Sequence, residues 1–232
     1  MSKHPSLKHY LENWTGDSDI RRDISQTIEA LAEACIEISA LVARGPLAGE
    51  LGADKGDNED GDTQKALDLI ANDLLIEALH TAPVSCLVSE ELKDPCPINM
   101  GAPLFVATDP LDGSSNIDTT VSVGTIFSIL PSGIDEDGKN IDDLCRLQQP
   151  GTAQLAAGYV IYGPQTALVM TLGDGAMIFT LDPRSKEYRL TTRTIEVHPD
   201  TNEFAINSSN SRQWDGHIPV SYTHLTLPTM LA

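Results

Sequence analysis

Apolar residues recur every three or four positions along the segment from about Asp19 to Val42. This spacing places them on one face of an α-helix, so the segment is predicted to be a long amphipathic helix. The apolar positions of this face are Ile20, Ile24, Ile28, Leu31, Cys35, Ile38 and Leu41. Gly45-Pro46 ends the pattern, and the segment from Leu47 to Asp62, which is rich in glycine and acidic residues, is predicted to be a loop.

A second helix is predicted to begin at Asp62, whose side chain is suited to cap a helix N-terminus. Its buried face would consist of Ala66, Leu67, Ile70, Leu74, Leu75 and Ala78. Asp68 lies at the edge of this face. On the helix alone, an acid in this position is expected to reach solvent, although a partner could instead hold it inward.

Beyond this helix the pattern changes to short runs of β-branched and aromatic residues bounded by turns, which predict β-strands. The first three predicted strands are Val84–Ser89, Leu104–Ala107 and Val121–Leu130. Four further runs predict an antiparallel meander. They are Leu155–Tyr162, Thr166–Leu172, Ala176–Leu181 and Tyr188–Thr192, and a last short strand is predicted at 204–206.

The first two predicted strands both run into acidic residues. Asp109 and Asp112 follow Leu104–Ala107, and Pro110 and Gly113 predict a rigid bend that brings both carboxylates into one small volume. Such a pair repels itself unless a cation lies between the two groups. Hard oxygen ligands suit Mg²⁺ or Mn²⁺, so a divalent metal site is predicted here.

The residues after Asp112 are small, and their backbone N–H groups are suited to cradle a phosphate beside that metal. They are Gly113, Ser114, Ser115 and Asn116. The alternative interpretation is an ordinary Asp-Pro and Asp-Gly turn with solvated acids. Glu90 and Glu91, after the first strand, would both reach the same site only if the chain bends there, and otherwise form a polar strand exit.

Composition narrows the range of partners. The chain has 232 residues, of which 34 are acidic and 15 are Lys or Arg, and its formal charge of -19 disfavours nucleic acid and anionic membranes as partners. No apolar run approaches the roughly 20 residues of a membrane span, and no N-terminal secretion signal is recognisable. The 4 cysteines are scattered, which suits reduced thiols, and a cytoplasmic location is predicted.

Together these motifs resemble class I fructose-1,6-bisphosphatases. The resemblance is carried by Gly61-Asp62 with Asp68, by Ser89-Glu90-Glu91, and by the run 109–116 followed by Val123-Gly124-Thr125-Ile126-Phe127. The Asp-Pro-Leu-Asp-Gly core is shared with the wider lithium-sensitive phosphatase superfamily, whereas 114–118 and 156–159 are similar to the fructose bisphosphatase branch. The resemblance covers about 20–214 and implies an α/β fold with α-β-α-β-α layers.

The resemblance also implies roles for individual residues. Glu90, Asp109, Asp112 and the backbone carbonyl of Leu111 would be metal ligands. Asp62, Asp68 and Glu91 would support a third metal position, or would position and deprotonate the attacking water. Asp112, Gly113, Ser114, Ser115 and Asn207 would bind the substrate.

The implied activity is Mg²⁺-dependent hydrolysis of the 1-phosphate of fructose 1,6-bisphosphate, with Mn²⁺ as a possible substitute, in gluconeogenesis or the Calvin cycle. A homotetramer is the implied assembly. Two alternatives stay open: a sedoheptulose-1,7-bisphosphatase or inositol monophosphatase-like enzyme, and a non-catalytic protein that binds divalent cations.

Three regions are predicted along the chain. Residues 1–195 would form the N-terminal metal-site domain, and 196–218 would begin a truncated C-terminal domain. Residues 219–232 resemble translated sequencing-adapter read-through and are predicted to be non-native. Because the resemblance implies that further phosphate-binding residues lie beyond this point, the chain as written is expected to be inactive or poorly active.

Overall fold

The computed structural model describes residues 4–48, 54–57, 63–132, 149–196 and 200. The chain divides into two compact units, Met1–Ile195 and Glu196–Ala232, and the architecture below is that of the first. The predictions for Asp62, 204–206, Asn207 and 219–232 lie outside the described residues. No helix in the described ranges is both long enough and apolar enough to cross a membrane.

Among the described residues, three α-helices precede the main sheet: α1 (Leu7–Thr15), α2 (Asp19–Arg44) and α3 (Ala66–Leu79). The prediction of α2 is confirmed, and its N-terminus is capped by the Ser18 side chain, which accepts a hydrogen bond from the Arg21 N–H. Ile20, by contrast, is 41% exposed and contributes little to the buried face. Helix α1 was not predicted, because a helix of 9 residues with only Leu7 and Leu11 buried shows too little periodicity.

Two predictions around α3 are wrong. Thr63–Lys65 forms a strand, β2, that pairs antiparallel with β1 (Asp54–Asp57) inside the predicted loop. The helix therefore begins at Ala66 and not at the predicted position, Asp62, which itself lies outside the described residues. Asp68 is 2% exposed rather than solvated, because α3 is enclosed between α2, β2 and the main sheet.

The main sheet has eight strands in the order β10-β9-β8-β7-β6-β5-β3-β4. They are β3 (Val84–Ser89), β4 (Cys96–Pro97), β5 (Leu104–Asp112), β6 (Val123–Pro131), β7 (Ala156–Tyr162), β8 (Thr166–Thr171), β9 (Ala176–Asp182) and β10 (Glu187–Thr192). Strands β3 and β5 are parallel, and the other neighbours are antiparallel. The predicted meander is confirmed as β7 to β10, and the α/β class is confirmed by the mixed sheet with flanking helices.

The helices pack on one face of this sheet, where the main core lies. Along β5, Leu104 and Val106 belong to that core, whereas Phe105 joins a smaller cluster with Cys86 and Leu130. Alternation of side chains along a strand places this smaller cluster on the opposite face. Because β3 and β5 are parallel neighbours, the ends that carry Glu90 and Asp109 meet at the same edge of the sheet.

Candidate metal centre

The two Asp residues of the acidic run lie in a β-bulge. Asp109 pairs with Ile126 and Asp112 pairs with Gly124, so two residues of β5 oppose Thr125 alone. The acidic run is therefore part of the strand as far as Asp112, and the predicted bend directly after Ala107 is corrected to a bulge. Without the extra residue, positions three apart would face opposite sides of the sheet.

The bulge restores both carboxylates to one face. Paired residues on neighbouring strands share a face, and Ile126 and Gly124 are two positions apart on β6, so Asp109 and Asp112 point the same way. It is the face away from the helices, since Ile126 is 44% exposed while Thr125 is fully buried. The sequence prediction that these two carboxylates converge agrees with this register, although the mechanism is different.

The Asp109 carboxyl is crowded by other acids. Burial raises its pKa to about 7, with further contributions from the charge of Glu90, from a hydrogen bond with the Glu90 side chain and from the charge of Asp112. One stabilising contact opposes this shift, because the Leu111 N–H donates to Asp109 Oδ1 at 3.0 Å. A hydrogen bond between two carboxyl groups requires a proton on one of them, so the arrangement disfavours full negative charge at this site.

Glu90 and Glu91 lie in a turn that begins where β3 ends. The Glu90 N–H donates a hydrogen bond to the Thr108 carbonyl at 3.1 Å, and the Leu92 N–H donates one to the Ser89 carbonyl at 3.2 Å. The chain therefore bends at the position where the sequence required a bend for both acids to reach one site. Glu90 is brought beside Asp109, and Glu91 is half-buried next to it in the chain.

Gly113 ends the strand with a left-handed backbone, at φ 81 and ψ 27. A side chain here would strain the backbone and would place its Cβ 3.2 Å from the Asn116 amide nitrogen. A short 3₁₀ helix, Ser114–Thr119, follows. It contacts β2, so the start of α3, which carries Asp68 in its first turn, lies near the loop after Asp112.

The structure brings together only part of the predicted site. Glu90, Asp109, Leu111 and Asp112 lie at one edge of the sheet, with Gly113 and Ser114 directly after them. Asp62 and Asn207 lie outside the described residues, as does the side chain of Ser115. Among the residues that the structure describes, no three Asp, Glu, His or Cys side chains are already arranged as a complete cation site.

The chemistry of the donor set nevertheless fits a divalent cation. The side chains are carboxylates, which are the ligands preferred by Mg²⁺ and Mn²⁺. The raised pKa of Asp109 reflects a charge that burial and neighbouring acids disfavour, and a cation would relieve it. Glu90, Asp109 and Asp112 are the side chains that would hold the ion.

Sequence reasoning missed two residues that support this site from inside the sheet. Thr125 Oγ1 donates to the Pro110 carbonyl at 2.8 Å and lies 2.8 Å from the Tyr162 hydroxyl. Both side chains are buried. The sequence could have indicated Thr125, because it lies between the inward-facing Val123 and Phe127 of the predicted strand. A buried polar residue at such a position needs a hydrogen-bond partner.

Comparison with solved structures identifies the fold. The crystal structure of Leishmania major fructose-1,6-bisphosphatase in holo form matches 95% of this chain with a TM-score of 0.83 and 29% identity, and 69% of that chain is covered. The T-state structure of the same enzyme matches with a TM-score of 0.78 and 28% identity, over 95% of this chain and 68% of that one. The fold is thus that of a fructose-1,6-bisphosphatase.

Comparison of sequences identifies the family. The sequence model of the fructose-1,6-bisphosphatase N-terminal domain matches residues 8–193. A class 1 fructose-1,6-bisphosphatase of Nitrobacter hamburgensis is 47% identical over 93% of this chain, and one of Azorhizobium caulinodans is 46% identical over 90%. This chain belongs to the fructose-1,6-bisphosphatase family. It spans 60% and 63% of the length of those two relatives.

Proposed function

We propose that the chain carries the metal-binding part of a fructose-1,6-bisphosphatase, which hydrolyses the 1-phosphate of fructose 1,6-bisphosphate to give fructose 6-phosphate and phosphate. The observation that carries the proposal is the bulge in β5, which directs Asp109 and Asp112 to one face, where Asp109 also contacts Glu90. Membership of the family supports the choice of substrate. A cytoplasmic location and a homotetrameric assembly are parts of the same proposal.

The ion would be held by Glu90, Asp109, Asp112 and the Leu111 carbonyl. When bound, Mg²⁺ would neutralise charge on the phosphate and lower the pKa of a water molecule. Burial and the neighbouring acids disfavour the charge of Asp109, and a bound cation would offset this cost. The Leu111 N–H donates a hydrogen bond to Asp109 Oδ1, which fixes the backbone at Leu111.

The remaining predicted residues would act on water and substrate. Asp62, Asp68 and Glu91 would orient the attacking water and accept its proton, which contributes to the rate when the acid lies within hydrogen-bonding distance. The position of Asp68 in the first turn of α3, near the loop after Asp112, supports this role. Asp112, Gly113, Ser114, Ser115 and Asn207 would bind the sugar phosphate.

Phosphate release tests the proposal. The chain, and a version extended to the length of its relatives, are assayed with fructose 1,6-bisphosphate, sedoheptulose 1,7-bisphosphate and inositol monophosphate over a range of Mg²⁺ concentrations. The expected result is Mg²⁺-dependent release from fructose 1,6-bisphosphate by the extended version, lost in Asp112→Asn. Faster release from either other substrate would reassign the specificity. Metal binding without release from any substrate would favour a non-catalytic cation-binding protein.

A further inference from the structure

A buried series of polar side chains links α2 to the bulge in β5. Thr125 Oγ1 bonds to the Pro110 carbonyl on one side and to the Tyr162 hydroxyl on the other, each at 2.8 Å. The Cys35 thiol hydrogen-bonds with Tyr162. Cys35, Thr125 and Tyr162 are each at most 2% exposed. Polar groups this deeply buried are costly unless they are bonded, so the series has a defined arrangement.

The direction of the hydrogen bonds follows from the Pro110 carbonyl, which can only accept. Thr125 must donate its single proton to that carbonyl. Tyr162 therefore donates to Thr125, and the Cys35 thiol, which hydrogen-bonds with both hydroxyl groups, is left as a donor to them. Burial raises the pKa of the Cys35 thiol to about 11 and also raises the pKa of Tyr162 well above its ordinary value, so both groups keep their protons near neutral pH.

The peptide group between Pro110 and Leu111 joins this series to the acidic cluster. Its carbonyl accepts from Thr125, and its N–H donates to Asp109 Oδ1 at 3.0 Å. A peptide group is planar, so a rotation that breaks one of these bonds also misaligns the other. The orientation of the Asp109 carboxylate is thereby tied to the buried hydroxyl of Thr125.

We propose that Thr125 and Tyr162 are positioning residues, which hold Asp109 in its metal-binding orientation through the Pro110–Leu111 peptide. Neither side chain would contact the ion. The inference rests on the proposed function, since it takes Asp109 as a metal ligand. Residues that support metal ligands in this way typically change metal affinity about 10-fold to 100-fold when they are replaced.

Mn²⁺ affinity, measured by titration calorimetry, tests the proposal. Thr125→Val removes the hydroxyl at nearly constant volume, Thr125→Ser retains it, and Tyr162→Phe removes the next donor in the series. Ser85→Ala is the matched control, because buried Ser85 also donates to a carbonyl of β5, that of Leu104, at 2.8 Å. That carbonyl lies at the other end of the strand from the bulge.

Thr125→Val and Tyr162→Phe are expected to weaken Mn²⁺ binding by about 10-fold or more, whereas Thr125→Ser and Ser85→Ala bind nearly as tightly as the wild type. A merely structural role would make Ser85→Ala as harmful as Thr125→Val. Wild-type affinity in Thr125→Val, or equal losses in Thr125→Val and Ser85→Ala, would overturn the proposal.

Amide hydrogen exchange in the metal-free protein separates this inference from the proposed function. The Leu111 amide is expected to exchange faster in Thr125→Val than in the wild type, and to be unchanged in Ser85→Ala. If wild-type protein binds no Mn²⁺, the proposed function is wrong, and the exchange rates still test the positioning. An unchanged Leu111 exchange rate in Thr125→Val would refute it.

Discussion

Replacing Asp109 by Asn is expected to stabilise the metal-free protein at pH 8. The amide retains an oxygen that can accept from the Leu111 N–H, but it removes a charge that burial, Glu90 and Asp112 all disfavour. A binding site for a cation is a place where like charges are held together, so its carboxylates oppose folding when no ion is present. The difference in stability between Asp109→Asn and the wild type therefore measures the cost of the Asp109 charge in the metal-free folded protein.

The magnitude follows from the raised pKa of Asp109. A change from 3.8 to about 7 corresponds to about 4 kcal/mol if the charge is fully felt. Solvent reaches this half-buried carboxyl, and screening reduces the expected gain in the free energy of unfolding to about 1–2 kcal/mol. Because the pKa of Asp109 is raised in the folded state, the free energy of unfolding of the wild type falls as pH rises from about 4 to about 7. The variant has no carboxyl at this position and keeps its stability.

Urea denaturation in metal-free buffer at pH 8 and pH 4 measures the effect. The gain should be largest at pH 8 and much smaller at pH 4, where Asp109 is mostly protonated in the folded state and about half protonated in the unfolded state. Asp182→Asn is the matched control. Asp182 also precedes a proline and accepts from the backbone N–H two residues later, that of Arg184, at 3.0 Å, but that backbone bond lowers the pKa of its exposed carboxyl.

Asp182→Asn should therefore give no stabilisation at either pH. The reasoning is refuted if Asp109→Asn is no more stable at pH 8 than this control, or if its gain is the same at both pH values. Either result would mean that the acids at the end of β5 are solvated in the free protein.

Three further outcomes are expected. Millimolar Mg²⁺ or Mn²⁺ should raise the melting temperature, and Asp112→Ala should abolish the shift; a wild-type curve that ignores both ions contradicts the metal site. In a version extended to the length of the relatives, Glu91→Gln should lower kcat by orders of magnitude with little change in KM, whereas Glu90→Gln should weaken metal binding; equal mild effects contradict these roles. Gly158→Ala should cost about 1–3 kcal/mol in urea denaturation, since its Cβ would lie 2.6 Å from the Val169 carbonyl oxygen, and wild-type stability would contradict this.

The larger elements could be predicted from the sequence because each leaves a periodic pattern. Helix α2 alternates buried and exposed faces over 26 residues, and the meander strands are separated by glycine and proline turns. Helix α3 was harder. It is apolar on most of its surface, so periodicity does not mark its first residue. Strand β2, paired with β1, occupies positions that were predicted to form the first turn of the helix.

Several features of the site could not be predicted because they depend on pairing between distant segments. The bulge is defined by pairing with β6, and the sequence of 109–112 alone does not determine which residues lie opposite Thr125. The burial of Asp68 depends on the elements that enclose α3 rather than on its own helix. The acidic motif therefore indicated which residues cluster, whereas the register of the sheet determines how they face one another.

The bulge also explains how a self-repelling cluster keeps its shape. An unrestrained carboxylate at a strand end would turn toward water, which would relieve the charge but would lose the arrangement that a cation needs. Asp109 is instead restrained by pairing of its strand with β3 and β6, and by the Leu111 N–H. The core that α2 and α3 form with the sheet stabilises those strands. A site on a free loop would lack this support, and its orientation would have to be imposed when the ion binds.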